Sequence, residues 1–275
     1  METNPPPEPP PLNVSTRSQQ PTWRKKIGGA LTAAGVLVVK FFSAIKFFLL
    51  PLLKTGGSML ISIWVYSLLY GWWFGVGFVI LIFVHECGHL LAAKRIGLHV
   101  GLPVFIPFMG AVIALKEAPR NAWIEAQVGI GGPLLGSLGA GVCGLIYLGT
   151  GNPLFLALAN VGFMLNLFNL VPIGPLDGGR IVTAISPWLW IVGYALMAIY
   201  TVVSVMAGRF SLLLFIILII STPRLISLFR PKSAEQQRFF EVAPAQRLII
   251  ATMYFGLILL LVWGMAATEY IPDNG

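Results

Sequence analysis

The 275-residue sequence predicts an all-α polytopic membrane protein of about six to seven transmembrane helices, with a short membrane-associated β-hairpin or re-entrant loop among them. Three observations predict it. Hydrophobic residues make up 57% of the chain and charged residues only 10%, a balance outside that of soluble domains. The apolar residues fall in continuous runs of roughly 20, the pattern of membrane helices, and do not alternate as barrel strands do. The basic residues behind the net charge of +8 are scattered between those runs and form no stripe interleaved with exposed aromatics, so they mark topology and predict no nucleic-acid partner.

Residues 1–26 predict a disordered, Pro-rich cytoplasmic tail, because seven of the twenty prolines fall before residue 22 among Glu, Ser, Gln and Asn. It is not a signal peptide, since the cluster Arg24-Lys25-Lys26 follows the tail and no cleavage site follows the cluster. Residues 27–54 are apolar but interrupted by Lys40 and Lys46 and closed by Pro51, which predicts an interfacial or membrane-embedded helix with snorkelling lysines.

Residues 55–183 form the predicted catalytic transmembrane core. As one helix, the apolar stretch 58–95 would be on the order of 55 Å long against a bilayer core of about 30 Å, so it must be two spans. The turn is expected at Gly71-Trp72-Trp73, with tryptophans at headgroup level. The second span carries His85-Glu86-Cys87-Gly88-His89. Two histidines four apart lie on one helix face about 6 Å apart, where they can hold one metal ion while Glu86 reaches its water. Ionisable side chains are costly inside a bilayer and are kept there for function. Cys87 and Cys143 both fall in spans and read as small packing residues.

Residues 97–118 hold Pro103, Pro107 and Gly110 around two β-prone pieces, 104–106 and 111–113, too broken for a span. His99 precedes them and reads as an interfacial polar residue. In the span 123–148, Gly132, Gly136, Ala140 and Gly144 recur every four residues, a small-residue face for close helix packing. The span 154–171 ends in Asn169-Leu170-Val171-Pro172-Ile173-Gly174-Pro175-Leu176-Asp177-Gly178-Gly179-Arg180, a helix break at membrane depth. Asp177 in that break is a candidate third metal ligand, because catalytic zinc takes three protein ligands and water; alternatively it caps a helix in a turn. Glu117 and Glu125 are rival ligands, with solvated ion pairing to Lys116 or Arg120 the simpler reading of both. Residues 184–275 are expected to add accessory transmembrane helices at 188–206, 210–221 (extending to 229 despite Pro223) and 248–266. A polar loop at 231–247 separates the last two.

With 27–53 lying on the membrane, seven spans place Lys94, Arg95, Arg180, Arg224 and Arg247 on the side of the amino-terminal tail and Arg209 opposite, which makes the tail side cytoplasmic. The metal would then lie roughly 9 Å below that boundary.

These residues resemble the site-2 protease family of intramembrane zinc metalloproteases. The resemblance rests on His85-Glu86-x-x-His89, on Asn169-x-x-Pro172-x-x-Pro175-Leu176-Asp177-Gly178-Gly179 and on Gly131-Gly132-Pro133, and it covers roughly residues 71–180. It implies one zinc ion per chain on His85, His89 and Asp177, Glu86 as general base, and Asn169 as a substrate- or oxyanion-holding residue. Segment 104–113 would be a β element pairing with an unwound substrate strand. The PDZ or CBS domains of many family members have no room in this sequence. The implied activity is that of a metalloendopeptidase hydrolysing peptide bonds in membrane-spanning segments of other proteins within the lipid bilayer, the zinc-bound water activated by Glu86. Two other functions fit less well: a metal-ion transporter, which would spread polar residues along several spans, and a non-catalytic membrane binding protein of the same fold.

Overall fold

A computed structural model describes residues 56–106, 110–115 and 119–269. The expectations for residues 1–54 lie outside the described residues. Helix α1 (Gly56–Tyr70) and helix α2 (Trp72–Arg95) meet at Gly71, whose φ of 87° is the left-handed conformation that lets two apolar helices part company at the expected turn. Strands β1 (Val100–Ile106) and β2 (Gly110–Leu115) pair antiparallel, with Val104 opposite Val112 and Phe105 opposite Ala111. Ser58 Oγ accepts the Phe105 N–H at 3.0 Å, which ties the sheet to α1.

Helix α3 (Ala122–Thr150) starts on the side-chain cap of Asn121 and runs through Pro133. Helix α4 (Pro153–Asn169) starts on an Asn152 cap with proline in its first turn, where no N–H is lost. A loop follows, and then helix α5 (Asp177–Ile185), only nine residues long. The chain continues through α6 (Leu189–Met206), α7 (Leu212–Ser227), α8 (Ala234–Phe239) and α9 (Pro244–Ala267). Two expectations are corrected. The break before Arg180 is not irregular throughout, because Asp177 opens a helix whose Ile181, Val182 and Ala184 are buried. The polar loop 231–247 contains α8, nucleated by the reciprocal capping box of Ser233 and Gln236.

Among the described residues four helices, α2, α3, α6 and α9, are long and apolar enough to cross a membrane, and α1, α4 and α7 are shorter apolar helices. Their outward faces are rich in large apolar side chains, among them Leu148, Met206 and Trp263, each more than two-thirds exposed. Water would not tolerate such a surface and lipid requires it; the chain is an all-α integral membrane protein.

Helix α3 packs against α2, α4 and α5. Ala122, Ala126 and Ala140 of α3, Ala159 and Phe163 of α4, Ile181 and Val182 of α5, and Ile250, Leu257 and Leu261 of α9 share one core. The phenol of Tyr254 donates to the carbonyl of Leu170 at 2.6 Å, so α9 caps the point where α4 ends. A second cluster joins Ile63 and Tyr66 of α1 to Val79 and Ile82 of α2 and Phe105 of β1. The third, Ile173 with Met197, Leu214 and Ile217, seats the loop after α4 on α6 and α7.

Candidate metal centre

Helix α2 is nearly uniform in hydrophobicity, yet it turns His85, Glu86 and His89 inward, all buried. A polar group in an apolar bundle must find partners, and the two histidines find them on α3, α4 and α5. His89 Nδ1 lies 2.8 Å from the carbonyl of Val128. A carbonyl only accepts, so that nitrogen carries the proton and Nε2 presents a lone pair. His85 Nδ1 lies 2.8 Å from Asn166 Oδ1. The amide orientation follows from its other end, since Asn166 Nδ2 donates to Gly162 O at 2.7 Å. His85 therefore also donates from Nδ1 and keeps a lone pair on Nε2.

The two Nε2 atoms are 3.2 Å apart, and each is 3.1 Å from Asp177 Oδ2. With both neutral-ring protons committed elsewhere, three acceptors face one another in a buried space, an arrangement that a bound metal cation satisfies. Ligand atoms about 2.0–2.2 Å from a tetrahedral zinc sit roughly 3.3–3.6 Å from each other, slightly wider than the spacing found here. The donor set and its spacing fit a divalent metal with one coordination position left over for water or substrate. His85, His89 and Asp177 are the one His/Cys/Asp/Glu group among the described residues arranged to hold an ion.

Room for this convergence comes from α3. A Cβ on Gly132 would overlap His89 Nε2 and lie 2.8 Å from His85 Nε2, and one on Gly136 would overlap Asn166 Oδ1. The small-residue face expected to serve helix packing also makes space for the imidazoles and for the amide that orients one of them. Asp177 is placed by the start of α5, and Arg180 Nη1 lies 3.7 Å from its second oxygen. Glu86 is buried close enough for the charges of His85, Asp177 and Arg180 to act on its carboxyl.

The remaining sequence-derived candidates lie elsewhere. Asn169 is half-buried and donates to Leu165 O of its own helix at 3.1 Å, and Asn166, one turn earlier, is the asparagine that touches the cluster. Glu125 lies outside the His85, His89 and Asp177 group and, among the described residues, pairs with Arg224 of α7 at 3.5 Å. Glu117 lies outside the described residues, and His99 is exposed and apart from the cluster. Reasoning from sequence missed Asn166, although a polar side chain within the apolar run 154–171 is the signal that singled out His85 and His89.

Fold and site together define an apolar helical bundle with a buried His-His-Asp metal centre and a carboxyl beside it. Residues 73–155 match the model of peptidase family M50, a stretch that holds both histidines and Glu86 and ends before Asp177. The resemblance to site-2 proteases read from the motifs therefore stands. Over 116 residues the chain is 36% identical to zinc metalloprotease MJ0392 of Methanocaldococcus jannaschii, covering 38% of this chain and 33% of that protein. Over 131 residues it is 33% identical to the putative zinc metalloprotease Rip3 of Mycobacterium tuberculosis, covering 43% of this chain and 32% of that one. The chain thus matches about one third of the length of these curated relatives. Among solved structures, the site-2 protease from Methanocaldococcus jannaschii aligns with 79% of this chain and 89% of its own, at 21% identity and a TM-score of 0.39.

Proposed function

We propose that this protein is an intramembrane zinc metalloprotease, a metalloendopeptidase that hydrolyses peptide bonds in membrane-spanning segments of other proteins. The observation that carries the reading is the convergence of His85 Nε2, His89 Nε2 and Asp177 Oδ2 at 3.1–3.2 Å with both Nδ1 protons pointed away. In this reading those three atoms hold one zinc ion per chain. Zinc there would supply a Lewis acid and bring the pKa of water towards neutrality. Glu86, one residue along the same helix, takes the proton of that water on its carboxylate and passes it to the leaving amine. Val128 O and Asn166 Oδ1 keep the imidazoles in the tautomer and orientation that ligation needs. Asn169 holds the substrate backbone or its developing oxyanion, and the β1–β2 hairpin pairs with the unwound substrate strand.

Access is the second requirement, because helical hydrogen bonds shield a scissile carbonyl. Helix α4, with 17 residues, is about 25 Å long, shorter than a hydrocarbon core of about 30 Å. That supports a break before Asp177 lying within the membrane, tolerated because it is packed in protein. Seven spans, α1, α2, α3, α4, α6, α7 and α9, put the tail, Arg95, Arg180, Arg224 and Arg247 on one side. The excess of positive charge there supports a cytoplasmic amino terminus and cleavage near the cytoplasmic face. The proposed catalytic core is residues 55–183, whose end falls inside α5 and is better drawn after Ile185, and residues 184–275 supply the accessory helices.

The test is the full chain reconstituted in vesicles with tagged single-span proteins. Cleavage within the span, abolished by a chelator and restored by zinc, is the expected result. Zinc flux across the vesicles without cleavage would overturn the reading in favour of a transporter.

A further inference from the structure

We infer that Arg224 is the positioning residue for the Asp177 carboxylate, which makes the α6–α7 pair part of the catalytic apparatus although it lies beyond the family match. The inference rests on the reading of Asp177 as a metal ligand. A guanidinium in an apolar helix needs a reason to be there, and Arg224, half-buried near the end of α7, has four partners. Its Nη2 donates to Thr183 Oγ1 of α5 at 2.9 Å and reaches Glu125 Oε2 of α3 at 3.5 Å. Its Nη1 is 3.4 Å from the carbonyl of Gly174, three residues before Asp177. Its Cζ lies 4.4 Å over the ring of Trp190 on α6.

The partners are themselves tied to the segment that carries Asp177. Thr183 Oγ1, accepting from Arg224, donates to Gly179 O at 2.8 Å, and Trp190 Nε1 donates to the same carbonyl at 2.9 Å. Arg224 therefore grips the chain on both sides of Asp177, at Gly174 before it and through Thr183 and Gly179 after it. The segment needs that grip. Leu176 gives α5 no side-chain cap, and a helix of nine residues is too short to hold itself without tertiary contacts. Asp177 Oδ2 must nevertheless stay at 3.1 Å from two imidazole nitrogens on another helix. Lysine cannot replace the arginine here, because a single ammonium lacks the planar fork that serves Gly174, Thr183 and Glu125 together while stacking on Trp190.

The experiment measures zinc affinity of the purified full chain by chelator competition, together with the visible absorption of the cobalt-substituted protein, for wild type, Arg224→Lys and Thr183→Val. Helical content and elution as a single species are checked alongside. The expected result is zinc affinity lower by about tenfold in both variants, with an altered cobalt spectrum, retained helicity and, where cleavage is measured, a fall in kcat at unchanged KM. Wild-type affinity and spectrum in a folded Arg224→Lys protein would overturn the inference; should that variant not fold, the same outcome in Thr183→Val would overturn it. Failure of wild type to bind zinc would instead sink the metal centre. Zinc binding without proteolysis would sink the protease reading and leave the positioning result readable.

Discussion

Asn166 Oδ1 and His85 Nδ1 face each other at 2.8 Å in the buried centre of the bundle, joining α4 to α2. Because Asn166 is itself held by Gly162 O, the contact sets which nitrogen of His85 carries the proton. Asn169, one turn on, has no such contact and bonds within its own helix. The two asparagines should therefore separate experimentally. Asn166→Ala is expected to weaken zinc binding by about 10- to 100-fold, the usual effect of losing a ligand's orienting partner. Asn169→Ala should leave zinc affinity as it was and lower cleavage. Isothermal titration or chelator competition on both purified proteins checks this, and equal zinc affinities would refute the assignment.

Glu86 is buried next to His85 on α2 without supplying one of the three converging atoms. Glu86→Gln keeps the shape and removes the carboxylate proposed as the base, so zinc stoichiometry should stay at one per chain while cleavage falls by about 10²- to 10⁴-fold. Elemental analysis paired with a substrate-cleavage assay reads both quantities. Undiminished cleavage would defeat the mechanism.

Asp177 is the acidic member of the triad, buried with both histidine Nε2 atoms against one oxygen. Asp177→Ala should cost most of the bound zinc, and cleavage with it. Asp177→Asn, which keeps the volume and loses the charge, should bind zinc more weakly than wild type. A variant with full zinc would place the third ligand elsewhere.

Gly132 poses a test in which local propensity and site geometry pull opposite ways. Alanine in a helix interior is favoured over glycine by about 1 kcal/mol, yet its methyl would occupy the space of His89 Nε2. Gly132→Ala is expected to retain helicity by circular dichroism while losing zinc. An unaffected zinc content would show that α3 can shift away from α2 at no cost to the site.

Tyr254 offers a stability test remote from the metal. Its hydroxyl is the partner of the buried Leu170 carbonyl, and Tyr254→Phe leaves that carbonyl unsatisfied at a cost of about 1–3 kcal/mol. Thermal unfolding in detergent should show a lower midpoint, with zinc affinity reduced less than by Asn166→Ala.

Much of this architecture is legible in the linear chain. Continuous apolar runs locate α1 to α4, α6, α7 and α9 to within a few residues, because a helix in lipid must satisfy its own backbone and so writes its length into composition. The pair His85 and His89 is visible for the same reason, as a polar exception in an apolar run. Asp177 is visible only as a carboxylate in a proline- and glycine-rich break, and the residues alone leave Glu117 and Glu125 beside it as rivals. Helix α5 is hidden because nine residues opening on Asp-Gly-Gly carry too little propensity to announce a helix; it forms by burying Ile181 and Val182 against α3 and α9.

From residue order alone follow the membrane class of this protein, the histidine pair and the carboxylate between them, since spacing along one helix is a local property. The choice of Asp177 over Glu125, of Asn166 over Asn169, and the attachment of Arg224 to the Asp177 segment came from packing. Those relationships join residues tens of positions apart, and what decides them is which buried polar group lies within hydrogen-bond reach once four helices have closed on one another, a quantity that spacing along the chain does not encode.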